Sequence, residues 1–164
     1  AALPLMVLPD VVNTTVLTLP VIGPVNFGIL YSLLVVPIAI TGASNAVNML
    51  AGFNGLEAGM GALITFTLLL VGVLLPNDYP GKMETIILMA AMFGALLAFL
   101  HFNWFPAKIF GGDSLTLMIG AVIAAVAIVG NLEKVALMLF ALYFIELLVK
   151  AKRLVPRWPS AANR

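Results

Sequence analysis

Five apolar runs, Phe27–Ala43, Leu56–Leu75, Glu84–Leu100, Leu115–Gly130 and Val135–Val149, occupy most of the chain and leave few positions for a charge. A soluble domain covers its surface with charged residues, about 25% of the total. Here 63% of the 164 residues are hydrophobic and 9% are charged, with a mean hydropathy of +1.16. So few charged side chains cannot coat a soluble particle of this size, which makes the bilayer the solvent. In lipid only helices and closed barrels satisfy their own backbone groups, and the runs lack the alternation of barrel strands. The expected fold is all-α: a polytopic transmembrane helix bundle of about five helices, with Ala1–Leu8 as the end of a sixth. Some runs fall short of the roughly 20 residues that span a hydrocarbon core, so they borrow flanking residues.

Residues 9–26 differ from the runs. Prolines at 9, 20 and 24 bracket a β-branched segment, Val11 to Leu19, which predicts a short extra-membrane β-hairpin. The basic residues report topology. With the loop after Phe27–Ala43 on the cytoplasmic side, Lys108, Lys150, Lys152, Arg153, Arg157 and Arg164 lie inside, and Lys82 and Lys134 outside. Two polar loops, 44–57 and 101–114, then face the cytoplasm with the basic tail 150–164. A net charge of +1 without a basic tract gives no footprint for nucleic acid, and the absence of cysteine excludes disulfides and thiolate metal sites.

The first polar loop holds Asn45, Asn48, Asn54, Glu57 and the glycines Gly52, Gly55 and Gly59. Asparagine and glycine are ordinary helix-end residues, and small residues also pack membrane helices closely. Asn45 and Asn48 are three apart and share a face if helical. The second loop runs from Asn103-Trp104-Phe105-Pro106 through Lys108, Phe110, Gly111 and Gly112 to Asp113. Asp113 opens an apolar helix, where it suits an N-cap or a first-turn acid. It also suits a divalent cation: Mg²⁺ takes one or two protein oxygens plus water and phosphate, so Asp113 with Asn48 is a sufficient pair. Lys108 fits phosphate contact, a solvated loop or a lipid headgroup. His101 fits the membrane interface or proton transfer, and Glu146 should face protein or the interface.

Ser44–Gly59 and Phe102–Thr116 together resemble the signature loops of the polyprenyl-phosphate N-acetylhexosamine-1-phosphate transferases. This is glycosyltransferase family 4, which includes MraY, WecA and the dolichyl-phosphate GlcNAc-1-phosphotransferase. Asn-Ala-Val-Asn-Met-Leu-Ala-Gly-Phe-Asn-Gly-Leu-Glu-Ala-Gly at 45–59 is similar to the eukaryotic and archaeal branch. The resemblance implies transfer of GlcNAc-1-phosphate from UDP-GlcNAc to a polyprenyl or dolichyl phosphate with release of UMP, the first membrane step of lipid-linked glycan synthesis. It implies Mg²⁺, with Mn²⁺ as a substitute, held by Asn48 and Asp113. It places Asn54 and Phe110 on the uracil and Gly52 beside the nucleotide. Asn45 and Lys108 are candidate substrate contacts. Glu57 matches an acidic position of the family, where substrate contact and a structural bond to a neighbouring loop are equal alternatives. A plasma or endoplasmic reticulum membrane location and a homodimer are both compatible with it.

Two features depart from the family pattern. Members carry an adjacent Asp-Asp pair and about ten helices, whereas no two acidic residues are neighbours here. The expectation is the C-terminal part of a longer enzyme, inactive by itself. Another UDP-N-acetylhexosamine as donor is the nearest alternative, and a non-catalytic membrane subunit or transporter is the rival from another class.

Overall fold

In this computed structural model the chain is described over residues 16–19, 23–141 and 143–145. The expected helix end at 1–8, Glu146 and the basic tail 150–164 lie outside the described residues, as do 9–15 and 20–22 of the hairpin segment. Strands β1 (Val16–Leu19) and β2 (Gly23–Asn26) pair antiparallel, with Val16 opposite Asn26 and Leu19 opposite Gly23. Asn26 Oδ1 then accepts the Gly28 N–H at 2.9 Å, turning the chain into the first helix.

Helix α1 (Val36–Leu50) continues a π turn over Tyr31–Val35, in which the Val36 N–H reaches back to Tyr31 O. Pro37, near its start, has no N–H to offer the carbonyl four residues earlier, which accounts for a local change of helical pitch. The other helices are α2 (Leu56–Leu74), α3 (Lys82–Asn103), α4 (Gly112–Val129) and the short α5 (Glu133–Leu139). Tyr31–Leu50, α2, α3 and α4 are the four segments among the described residues long and apolar enough to cross a membrane. The polytopic helical fold is as expected, but the helix boundaries are not those of the apolar runs. Helix α1 outlasts the run ending at Ala43 and carries Ser44, Asn45 and Asn48, so the first loop narrows to Ala51–Gly55. The second narrows to Trp104–Gly111. Hydropathy marks lipid contact, and a helix goes on wherever its backbone bonds are met.

The helices pack chiefly as two pairs, α1 with α4 and α2 with α3. Val47, Leu68, Met89, Leu96, Ile119 and Ile123, from all four helices, are buried where the pairs meet. Lipid tails are as apolar as leucine, so close packing rather than escape from solvent holds such helices together. The tightest point is Gly120 on α4. A Cβ there would lie 2.5 Å from both Ala43 O and Ser44 Cα of α1. Glycine is required because backbone fills the space a side chain would take.

The alternating directions of the helices sort the polar groups to two ends. At one end Tyr31 Oη donates to Glu133 Oε1 at 2.5 Å and Tyr79 Oη donates to Asn131 O at 3.2 Å. Lys82 Nζ caps Leu75 O at 2.6 Å there, and Lys134 lies on α5 nearby in sequence. Lys108, Asn48, Asn103 and Asp113 lie at the other end, beside the two short loops.

Gly120→Val should force α1 from α4 and cost about 1–3 kcal/mol, the usual range for overpacking a tight interface. Thermal unfolding in detergent should show a clear fall in Tm. Gly94→Ala should leave Tm nearly unchanged, since nothing lies within 4 Å of a Cβ at Gly94. Equal losses in the two variants would contradict the close α1–α4 contact.

Candidate functional site

Two side-chain hydrogen-bond systems bring the polar segments together. The first centres on Asn103, the last residue of α3 and fully buried. Its Oδ1 accepts the Gly55 N–H at 3.0 Å, and its Nδ2 donates to Ile109 O at 2.9 Å. One carboxamide thereby joins the start of α2 to the residue before Phe110. Gly55 has φ +74°, which suits glycine at the entry to α2. Trp104 packs over it, 3.5 Å from where a Cβ would be. The second loop is closed locally by the Lys108 N–H donating to Phe102 O at 2.9 Å.

The second system joins α1 to α4. Thr116 Oγ1 donates to Asn48 Oδ1 at 2.6 Å, and it stands 3.2 Å from Asp113 O and 3.3 Å from Gly112 O. Thr116 is fully buried, and Asn48 is half-buried. Asp113 is in the first turn of α4, two residues after the N-cap Gly111, with its side chain exposed. Thr116 lies three residues on, on the same helical face as Asp113. Asn48 therefore bonds to the face of α4 that carries Asp113.

The remaining expected site residues divide by exposure. Asn54 and Phe110 are exposed, each next to a group that Asn103 holds. Gly52 has φ +116° and open space where a Cβ would be, so backbone conformation rather than crowding demands glycine in the described structure. Asn45 is exposed and bonds within its own helix, Nδ2 to Thr41 O at 2.7 Å. Lys108 lines a depression of about 470 Å³ with His101, Trp104 and Phe105. Glu57 is different: it is 3% exposed, and its Oε2 has no hydrogen-bond partner among the described residues. It follows Asn54 closely in sequence but points into the bundle.

Asn103 and Thr116 both lie within the second signature stretch, Phe102–Thr116, yet nothing in the sequence assigns either a role. The available signal was polarity at the edge of an apolar run, since buried polar groups need partners. Their bonds to Gly55 and Asn48 were not visible, because 48 and 68 positions of chain separate the partners.

The donor set fits a hard divalent cation. Asn48 offers an amide oxygen and Asp113 an exposed carboxylate, both on ordered helix turns. Among the described residues no three His, Asp or Glu side chains form a cluster that could hold a metal. A cation bound here would complete its shell with water and phosphate, as Mg²⁺ usually does.

Fold and site together define a polytopic helical membrane protein with amide and carboxylate groups gathered at one end. The family model described as glycosyl transferase family 4 matches residues 1–131, and the chain belongs to that family. It is 40% identical over 152 residues to a Saccharolobus solfataricus protein provisionally named UDP-N-acetylglucosamine–dolichyl-phosphate N-acetylglucosaminephosphotransferase, covering 93% of this chain and 46% of that protein. A Sulfolobus acidocaldarius protein of the same provisional name is 39% identical over 142 residues, 86% of this chain and 42% of that one. The phospho-N-acetylmuramoyl-pentapeptide-transferase of Halalkalibacterium halodurans is 39% identical over 136 residues, 82% of this chain and 40% of the enzyme. The chain thus spans less than half the length of these relatives.

Asn103→Ala should strand the Gly55 N–H and the Ile109 carbonyl and destabilise the protein by about 2 kcal/mol, the cost of unpaired buried polar groups. Asn45→Ala, at an exposed site, should stay within about 0.5 kcal/mol of the parent. Thermal unfolding of the two variants side by side checks the contrast.

Proposed function

We propose that the complete protein transfers GlcNAc-1-phosphate from UDP-GlcNAc to a polyprenyl phosphate of the dolichyl type and releases UMP. The observation that carries this is the pairing of Asn48 with the Asp113-bearing turn of α4 through Thr116, in a chain of glycosyl transferase family 4. In the reaction an acceptor phosphate oxygen bonds to the β-phosphorus of the donor. The bond from that phosphorus to the bridging oxygen breaks, and UMP carries the electron pair away. Such a transfer depends on positioning and on electrostatic stabilisation more than on covalent work.

The chain's residues take the following parts. Asn48 and Asp113 hold Mg²⁺, or Mn²⁺ in its place, at the pyrophosphate. When bound, the cation neutralises charge on the phosphates and favours departure of UMP. Asn54 hydrogen-bonds the uracil and Phe110 stacks on it, with Asn103 fixing the spacing between their segments. Gly52 admits the nucleotide to open space beside the backbone. Asn45 and Lys108 serve the outer substrate contacts. The burial of Glu57 favours a structural part for its carboxylate over direct contact with substrate.

A mostly apolar groove of about 390 Å³ between α1, α4 and α5, lined by Ile38, Gly42, Ala124, Leu137 and Phe140 and reaching Glu133 at the end away from Asp113, suits an isoprenoid chain. The site end faces the cytoplasm of a plasma or endoplasmic reticulum membrane, which lets a soluble nucleotide sugar meet a membrane-bound acceptor. The sequence supports this orientation, because Lys108 with the five basic residues of the tail outnumber Lys82 and Lys134 six to two. The chain by itself, without the acidic pair of the family pattern, is inactive. A homodimer is compatible with all of these assignments.

The similarity to a phospho-N-acetylmuramoyl-pentapeptide-transferase favours one second reading, in which the donor is another UDP-N-acetylhexosamine. The deciding assay follows UMP release by the purified complete protein in detergent with polyprenyl phosphate, Mg²⁺ and each UDP-sugar in turn. UDP-GlcNAc should be turned over fastest. Asp113→Asn should lower kcat by at least about 100-fold, as expected when a metal-binding carboxylate is lost. Phe110→Ala should mainly raise KM for the nucleotide sugar, by about 10-fold for one lost stacking contact. Undiminished activity in Asp113→Asn would remove that residue from the metal site, and no UMP release with any UDP-sugar would favour a non-catalytic membrane subunit.

A further inference from the structure

Asparagine is an ambiguous metal ligand, because its carboxamide has an oxygen end and an NH₂ end of nearly the same shape. Rotation by half a turn replaces an electron-pair donor with two hydrogens, which a cation rejects. A metal site that uses asparagine therefore gains from a neighbour that fixes the orientation. Thr116 is such a neighbour. Its Oγ1 lies 2.6 Å from Asn48 Oδ1. The carbonyl oxygens of Asp113 and Gly112 are farther, at 3.2 and 3.3 Å, so the single hydroxyl proton goes to Asn48 Oδ1, the nearest acceptor.

The hydroxyl is buried, on a helix whose backbone is pressed against α1 at Gly120, four residues on. It has little freedom to follow a wandering carboxamide. A carbonyl oxygen has two lone pairs. One on Asn48 Oδ1 can accept from Thr116 while the second remains for a ligand. Neighbours that orient a ligand in this way commonly change metal affinity by about 10–100-fold when lost.

We propose that Thr116 is a positioning residue for the metal site: its hydroxyl pins the oxygen end of Asn48 beside the Asp113 turn and so sets the affinity for the divalent cation. The proposal rests on Asn48 and Asp113 being the metal-binding pair. It adds a residue that touches neither metal nor substrate. It also separates the hydroxyl from the methyl group of threonine, since only the hydroxyl makes the bond. Serine should therefore replace Thr116, and valine, of nearly the same shape, should not.

The test is direct metal binding. The purified complete protein is titrated with Mn²⁺ in the presence of UDP, with free Mn²⁺ followed by electron paramagnetic resonance and folding checked by thermal unfolding. Thr116→Val should weaken Mn²⁺ binding by about 10-fold or more, and Thr116→Ser should stay within about 2-fold of the parent. Where Thr116→Val proves unfolded, Thr116→Ala carries the same expectation. In turnover assays Thr116→Val should need more Mg²⁺ for half-maximal rate, with most of kcat regained at saturating Mg²⁺. Unchanged Mn²⁺ affinity in the hydroxyl-less variant, while Asn48→Ala and Asp113→Asn both lose it, overturns the role of Thr116 and leaves the metal pair standing. Unchanged affinity in Asn48→Ala and Asp113→Asn overturns the metal pair, and the role of Thr116 with it.

Discussion

The contact of Gly120 with the α1 backbone at Ala43 and Ser44 is the constraint on which the polar end of the bundle depends. In lipid no hydrophobic force draws two apolar helices together, so the separation of α1 and α4 is set by how closely their atoms can pack. A side chain larger than hydrogen at position 120 would widen that gap. The hydrogen bond from Thr116 to Asn48 lies about one helical turn away, and 2.6 Å leaves little tolerance for such widening.

The two side-chain bridges do different work. Asn103 uses both ends of its carboxamide on backbone groups and is wholly buried, which makes it a strut between the two loops. Thr116 bonds to a side chain that is only half-buried and keeps unused hydrogen-bonding capacity. A strut fixes where segments are, and a side-chain partner fixes which atom a segment presents. Mounting both on helix ends gives the site more rigidity than the narrow loops between them could supply, which the proposed phosphoryl transfer would need for positioning.

The helical fold was legible because the bilayer leaves a chain with such long apolar runs few alternatives. Helix ends were less so. Asn45 and Asn48 look like loop residues beside Ala43, yet α1 continues through both of them. The short loops and the family resemblance identified Asn48, Asn54, Phe110 and Asp113 as a group, and the structure places all four at one end. What could not be read was inward or outward direction. Glu57 and Asn54 are close in sequence, but the turn into α2 buries the first and exposes the second. The partners of Asn103 and Thr116 were hidden for a related reason, since they depend on how helices distant in sequence approach one another.

The division of the bundle into two helix pairs bears on how a local change spreads through the site. Asn48, Thr116 and Asp113 belong to the α1–α4 pair, whereas Asn54 and Asn103 belong to the α2–α3 pair and its entry turn. The proposed metal ligands and Asn54 are therefore carried on separate packing units, with Phe110 on the loop that links the two. A substitution within the α2–α3 pair acts first on the proposed Asn54 contact, and one within the α1–α4 pair first on the proposed metal ligands. Residues on the seam, such as Ile119 and Leu96 on either side of Gly61, are where a change in one pair reaches the other.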